Sequence, residues 1–317
     1  MARPDIDWPK WRRRAGKSLL AIAPIPLLWW IFREVPLAQV WAALRQLKIY
    51  QIGIWLTFNV GLAFLMVGRW WLILRTLGYK IPYLALTRYR FASFAVSYFT
   101  PGPQFGGEPV QVLALKTEHQ VPGTTGTASV SLDKLLEMIA NFSFLVFGVA
   151  VALVGAWLPE EWQRVGIALG LGLLILPLAY LITMLAGRKP INTLIEHLPP
   201  RLAKNWLSQN ACLVEMEMSA FCVAHPWVVL QTSTISVLVW VGMISEYWLL
   251  TGFLGLRFSL WESISAMVAA RLSFLTPLPG GLGMFEASQI LALHLLGRPE
   301  SLGVGLALLI RRSRRRG

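Results

Sequence analysis

The chain has 317 residues, of which 56% are hydrophobic and only 14% charged. A soluble domain carries about 25% charged residues, so this composition excludes a cytosolic enzyme, a disordered chain and a nucleic-acid-binding protein. The formal net charge of +13 sits mostly at the two ends. Residues 1–17 hold Arg3, Lys10, Arg12, Arg13, Arg14 and Lys17 against Asp5 and Asp7, and Arg311, Arg312, Arg314, Arg315 and Arg316 close the chain. Basic ends on an apolar chain are the charge pattern of a polytopic membrane protein with cytoplasmic termini. Cys212 and Cys222 are too few for a disulfide framework and read as packing residues.

A span needs about 20 apolar residues. After the basic segment 1–17, Ser18 to Phe32 is a short charge-free run with no small-residue cleavage site behind it, so it reads as a retained first span rather than a signal peptide. Gln51 to Gly68 is the second. Ile139 to Pro159 and Val165 to Gly187 are the third and fourth, and Pro226 to Leu256 is the fifth, interrupted by Glu246 alone. Arg75, Lys80, Arg88 and Arg90 follow the second span; Arg188, Lys189, Arg201 and Lys204 follow the fourth. Both loops are therefore expected in the cytoplasm. Within the linker 188–225, residues 201–222 carry Leu202, Trp206, Leu213, Met216 and Ala220 at helical spacing, with Lys204, Glu215 and Glu217 elsewhere. That pattern predicts an amphipathic helix on the inner membrane face.

Two apolar segments are broken. Residues 91–108 contain Pro101, Gly102, Pro103, Gly106 and Gly107 and end on Glu108. Residues 262–286 contain Pro277, Pro279, Gly280, Gly281 and Gly283 and end on Glu286. With Glu108 placed on Glu286, Gln111-Val112-Leu113-Ala114-Leu115 falls on Gln289-Ile290-Leu291-Ala292-Leu293 without a gap, which marks an internal repeat. Proline removes a backbone donor and glycine loosens the backbone, so each helix stops at its break. Inside a bilayer the freed backbone groups must meet protein or water. Matched breaks in two halves of a membrane protein point to a transport site. By span count the first break dips in from the cytoplasm and the second from outside, which makes the halves inverted. The expected fold is thus an all-α polytopic membrane protein. It has about six spans and two re-entrant segments, split into halves 18–187 and 226–310 ahead of the basic end 311–317.

At these residues the chain resembles the transmembrane domain of the lysylphosphatidylglycerol synthases and the free-standing flippase-like membrane proteins related to it. The resemblance is carried by Arg69-Trp70, Thr100-Pro101, Gly106-Gly107-Glu108-Pro109 and Leu132-Asp133-Lys134. In the second half it is carried by Arg271-Leu272, Pro277-Leu278-Pro279-Gly280-Gly281-Leu282-Gly283 and Phe285-Glu286. It implies movement of a polar lipid between leaflets, without saying which. The lipid expected here is anionic or linked to polyprenyl phosphate, and the membrane expected is the plasma (inner) membrane. The synthases carry a soluble transferase domain after the membrane part, and this chain stops at Gly317, so no enzyme activity is expected. Family members also usually continue into a further span where this chain reaches Arg311. Symmetry would put Arg311 outside and the positive-inside tendency puts it inside; the cytoplasmic placement is favoured here, with 284–310 crossing as a helix kinked at Gly297-Arg298-Pro299.

A charge at bilayer depth costs about 2.5–3.5 kcal/mol and needs a partner or a task. Glu108 and Glu286 follow the glycine breaks, where they cap the next helix, serve substrate, or both. Arg271 precedes its break and faces a lipid phosphate or pairs with Glu286 or Glu246. Arg69 is read as the matching cation of the first half, or as snorkelling beside Trp70 and Trp71. Asp133, Glu137 and Asn141 form one helical stripe. Asp133 and Lys134 read as the solvated end of the third span, and Glu137 and Asn141 as a cavity wall. Glu246 is a counter-ion or proton-relay candidate. The binding residues proposed are Arg69, Gly106, Gly107, Glu108, Glu137, Asn141, Glu246, Arg271, Gly280, Gly281, Gly283 and Glu286, with no catalytic group, metal or cofactor. Membrane lipids are the expected partners and nucleic acid is not. The residues leave open a homo-oligomer and a second role, that of a non-catalytic scaffold docking a lipid-synthesising enzyme or glycosyltransferase through 201–222. A polyprenyl-phosphate enzyme using Glu108, Asp133 and Glu286 is the third reading.

Overall fold

The computed structural model describes residues 48–100, 106–155, 160–253, 255, 258–273 and 284–297. The expected first span Ser18–Phe32, both basic ends and Gly280, Gly281 and Gly283 lie outside the described residues, as does the side chain of Glu286. What is described is helical. The helices are α1 (Ile49–Thr76), α2 (Tyr83–Phe99), α3 (Glu108–His119), α4 (Gly123–Val154), α5 (Glu160–Leu185), α6 (Pro190–Glu196), α7 (Pro200–Ala203), α8 (Trp206–Ala224), α9 (Pro226–Phe253), α10 (Leu260–Ser273) and α11 (Met284–Leu295). Among the described residues, α1, α4, the stretch Arg164–Leu185 of α5, and α9 are long and apolar enough to cross a bilayer. The chain is a multi-pass membrane protein.

The helix ends obey local chemistry. Gly78 (φ 92°) stops α1 and Gly187 (φ 73°) stops α5, the left-handed conformation that glycine adopts at least cost. Pro109 opens α3, where its missing N–H would have had no partner in any case. Pro226 opens α9 in the same way.

Helix α4 is the centre of the packing and touches α1, α3, α5, α8, α9 and α10. Three apolar clusters hold these contacts. Trp70, Leu86, Leu115 and Val130 join α1 to the α2–α3 pair. Leu132, Leu136, Met184 and Phe221 join α4 to α5 and α8. Phe144 stacks on Trp240 at 3.9 Å between α4 and α9, beside Ile264, Val268 and Leu293.

Helix α1 packs extensively along α9, and the two run antiparallel. Arg69, late in α1, donates to Ser236, early in α9. Glu246, late in α9, accepts from Trp55 and Asn59, early in α1. Near the crossing, a Cβ on Gly242 would lie 2.5 Å from the Leu62 side chain, so the missing methyl sets how close the helices come. Helices α1 and α9 hold corresponding places, each two helices ahead of the helix that follows a Pro/Gly segment, α3 or α11. With α1 registered on α9 from first residue to first residue, Asn59 falls on Ser236 and Arg69 on Glu246. The two cross-helix hydrogen bonds therefore exchange equivalent positions, as a two-fold relation requires.

The linker departs from its expected arrangement. Leu202, Trp206, Leu213 and Met216 do share an outward face, each at least 44% exposed. Glu215, assigned above to the polar side, is 1% exposed. It accepts the N–H groups of Ile191 (2.8 Å) and Asn192 (2.7 Å) at the start of α6 and the hydroxyl of Tyr180 (3.2 Å) on α5. The reason is the helix start: its amide groups need an acceptor, and a carboxylate supplies two oxygens. Burial beside it pushes the Cys222 thiol up to about 11.

Candidate functional site

Helix α4 carries Asp133, Lys134 and Glu137 within one turn, on the side facing α1, α2 and α3. Arg69 reaches Asp133 through Nε at 2.6 Å and Glu137 through Nη2 at 3.4 Å. Arg90 on α2 reaches Asp133 through Nη1 and Glu137 through Nη2, the latter at 3.0 Å. Each carboxylate thus receives both guanidinium groups. Arg69 is 3% exposed, Arg90 4% and Asp133 1%. The geometry is what a low-dielectric interior demands, since a buried charge stands only if it is paired and hydrogen-bonded.

Four expectations change here. Asp133 and Lys134 are not a solvated helix end, because the helix begins ten residues earlier, at Gly123. Arg69 turns inward instead of snorkelling; the cation lying over the Trp71 ring is Arg75, at 4.9 Å. Arg90, counted above among loop charges, is a buried member of the cluster. Arg69 lies on α1, while Arg271 lies on α10, the helix that leads toward the second Pro/Gly segment as α2 leads toward the first.

The first break lies against this cluster. Gly106 has φ 119°, a conformation strained for any other residue, and its N–H donates to Glu108 Oε2 at 2.7 Å. Gly107 donates to Ser97 Oγ at 2.9 Å, and a Cβ there would fall 2.0 Å from the Ser93 carbonyl oxygen. Glycine is therefore needed for α3 to turn back onto α2. Glu108 stands in the first turn of α3 and reaches Lys134 Nζ at 3.5 Å, while Lys134 also reaches Glu137 at 3.3 Å.

Between α2, α3 and α4 a small polar cleft remains, open on one side, with about 20 Å³ of free space, room for about one water molecule. Arg90, Ser93, Phe94, Ser97, Glu108, Gln111, Val130, Lys134 and Glu137 line it. Gln111 is 4% exposed and lines the cleft. Arg90 Nε is buried without a hydrogen-bond partner among the described residues. Arg69, Gly106, Gly107, Glu108 and Glu137 of the expected site come together here. Arg90, Lys134, Ser93, Ser97 and Gln111 complete it.

The family model of the lysylphosphatidylglycerol synthase transmembrane region matches residues 17–313. The chain belongs to this family. No curated protein and no solved structure matches the chain. The family match runs through both repeats, including the Gly106-Gly107-Glu108 break and the Asp133-Lys134 pair that build the cleft.

The remaining expected residues lie elsewhere. Asn141 is half-buried one turn beyond Glu137, and no hydrogen bond or ion pair links it to the cluster. Glu246 accepts from Trp55 Nε1 at 3.0 Å and Asn59 Nδ2 at 2.8 Å, at the other end of the α1–α9 crossing. Arg271 stacks on Trp240 at 4.5 Å and places Nη2 3.4 Å from Met243 Sδ. Gln289, the counterpart of Gln111, is fully buried. It accepts from the Tyr247 hydroxyl at 2.7 Å and donates to the Ala266 carbonyl at 3.3 Å.

Proposed function

We propose that the protein moves the polar head of a membrane lipid, anionic or linked to polyprenyl phosphate, between leaflets. The head enters the cleft while the acyl chains stay in the bilayer. One observation carries this reading: an open cleft lined by Arg90, Lys134, Glu108 and Glu137 stands beside a broken helix in a chain of membrane-crossing helices. Charge and irregular backbone at that depth cost free energy that a substrate path explains. The antiparallel pairing of α1 with α9 supports it further. Halves that cross in opposite senses offer the same architecture to both leaflets, which alternating access uses. In this reading the breaks are re-entrant, the termini are cytoplasmic, the membrane is the plasma membrane and no bond is made or broken.

The test is reconstitution into vesicles bearing a fluorescent phosphatidylglycerol, with translocation read as loss of protection from an impermeant quencher. The wild type is expected to expose inner-leaflet lipid. Arg90→Gln, checked for folding by its melting temperature, is expected to slow it by about tenfold or more, the equivalent of one lost charge-assisted contact. Equal rates in protein-free and protein-bearing vesicles overturn the reading.

A further inference from the structure

We propose that the Nε–H of Arg90 is the donor that takes hold of a phosphate oxygen of the lipid head. The proposal rests on the lipid-moving reading above and names the group by which the head is recognised.

Arg69 and Arg90 share the same two carboxylates and differ at one atom. Arg69 uses all three of its nitrogens on the protein: Nε on Asp133, Nη1 on Ser236 and Nη2 on Glu137. Arg90 uses two, Nη1 on Asp133 and Nη2 on Glu137. Its Nε is buried with no partner among the described residues, in a side chain that is 5% exposed. A buried N–H without an acceptor costs about 1–3 kcal/mol. The group is not able to turn in search of one. Asp133 and Glu137 hold its two terminal nitrogens, and the Phe94 ring lies 5.3 Å from Cζ. The difference follows position: Arg90 lines the cleft, and Arg69 does not.

The free space in the cleft, about 20 Å³, has the size of one oxygen with its hydrogens. A whole head does not fit this conformation, whereas one projecting oxygen does. Phosphate supplies such an oxygen, and its bond to a guanidinium N–H is charge-assisted, roughly twice as strong as a neutral one. Ser97 lines the same cleft; its Oγ accepts the Gly107 N–H at 2.9 Å and, as a hydroxyl, has a hydrogen to donate. Phosphate is also what an anionic glycerolipid and a polyprenyl-phosphate carrier have in common. Recognition at Arg90 Nε therefore reads the feature that the two share.

The experiment follows the arginine Nε–H signals of the purified full chain, labelled with nitrogen-15 at Nε, by nuclear magnetic resonance in detergent. Arg90→Lys identifies the Arg90 signal by its loss, and Arg69→Lys identifies that of Arg69. Should Arg90→Lys fail to fold, Phe94→Leu marks the same signal by removing the ring beside it. Short-chain phosphatidylglycerol is expected to move the Arg90 signal in a saturable way and to leave the Arg69 signal in place. Diacylglycerol of the same chain length is expected to move neither. Binding of phosphatidylglycerol is expected to weaken about tenfold or more in Arg90→Lys, which keeps the charge and loses Nε. An unmoved Arg90 signal in a protein that translocates phosphatidylglycerol overturns the proposal and leaves the lipid reading standing. An equal shift with diacylglycerol also overturns it. If inorganic phosphate moves the signal and the lipid does not, the phosphate site stands and the lipid reading falls. If no phosphate compound moves it and no lipid is translocated, both fall.

Discussion

Gln111 and Gln289 hold the same place in the two repeats and live in different surroundings. Both are buried one turn before a buried leucine, Leu115 or Leu293. The amide of Gln289 is tied by Tyr247 and the Ala266 carbonyl; the amide of Gln111 lines an open cleft. The helices before the breaks differ in the same sense. Arg69 is locked to acids on α4, whereas its register mate Glu246 takes neutral donors from α1. The repeat therefore determines which face of the two helices is buried. Among the described residues, the guanidinium–carboxylate cluster and the open cleft lie together in the first half.

That contrast can be broken by experiment. The largest effect belongs to Asp133→Ala, which leaves two buried guanidinium groups to share Glu137. It is expected to cost about 3–5 kcal/mol, read as a fall in melting temperature in detergent. Gln289→Ala in the second repeat leaves the buried Tyr247 hydroxyl without its Gln289 acceptor and is expected to cost about 1–3 kcal/mol. If Gln289→Ala proves the more damaging, the first half is not the charge-anchored one. Gly107→Ala forces a methyl onto the Ser93 carbonyl and is expected to cost about 1–3 kcal/mol of overpacking strain, with lipid movement falling alongside stability. Arg271→Leu removes the cation from the Trp240 face and is expected to cost about 0.5–2 kcal/mol; a loss as large as that of Asp133→Ala would show that the second half is equally charge-anchored. The smallest effect concerns reactivity. With its thiol pushed up to about 11 and its side chain buried, Cys222 stays protonated near neutrality. Its thiolate fraction grows only as pH climbs toward that value, so a maleimide at pH 7 is expected to label Cys212 and spare Cys222.

Much of this architecture was legible in the sequence. The long apolar helices, the first break and the matching Gln-x-x-x-Leu segments follow from charge-free runs, from Pro and Gly, and from plain repetition. The cluster was legible only in part. The stripe Asp133–Glu137 stood out at helical spacing, yet Asp133 read as solvated and Arg90 as a loop charge. Hydropathy prices each charge as if it were alone, while in the fold four charges satisfy one another across three helices. Ser236 and Asn59 carried no signal beyond being small or polar in apolar runs. Their meaning needs the register of α1 on α9, which only packing supplies.

The pairing of Arg69 with Asp133 also has a consequence for how the protein is made. The two residues are 64 positions apart. At a synthesis rate of about 5–20 residues per second, the ribosome needs about 3–13 s after finishing Arg69 before its partner exists. During that interval a guanidinium group sits near the end of an otherwise insertable helix, with neither Asp133 nor Glu137 made. Until α4 is made, that unpaired charge costs α1 about 2.5–3.5 kcal/mol at bilayer depth.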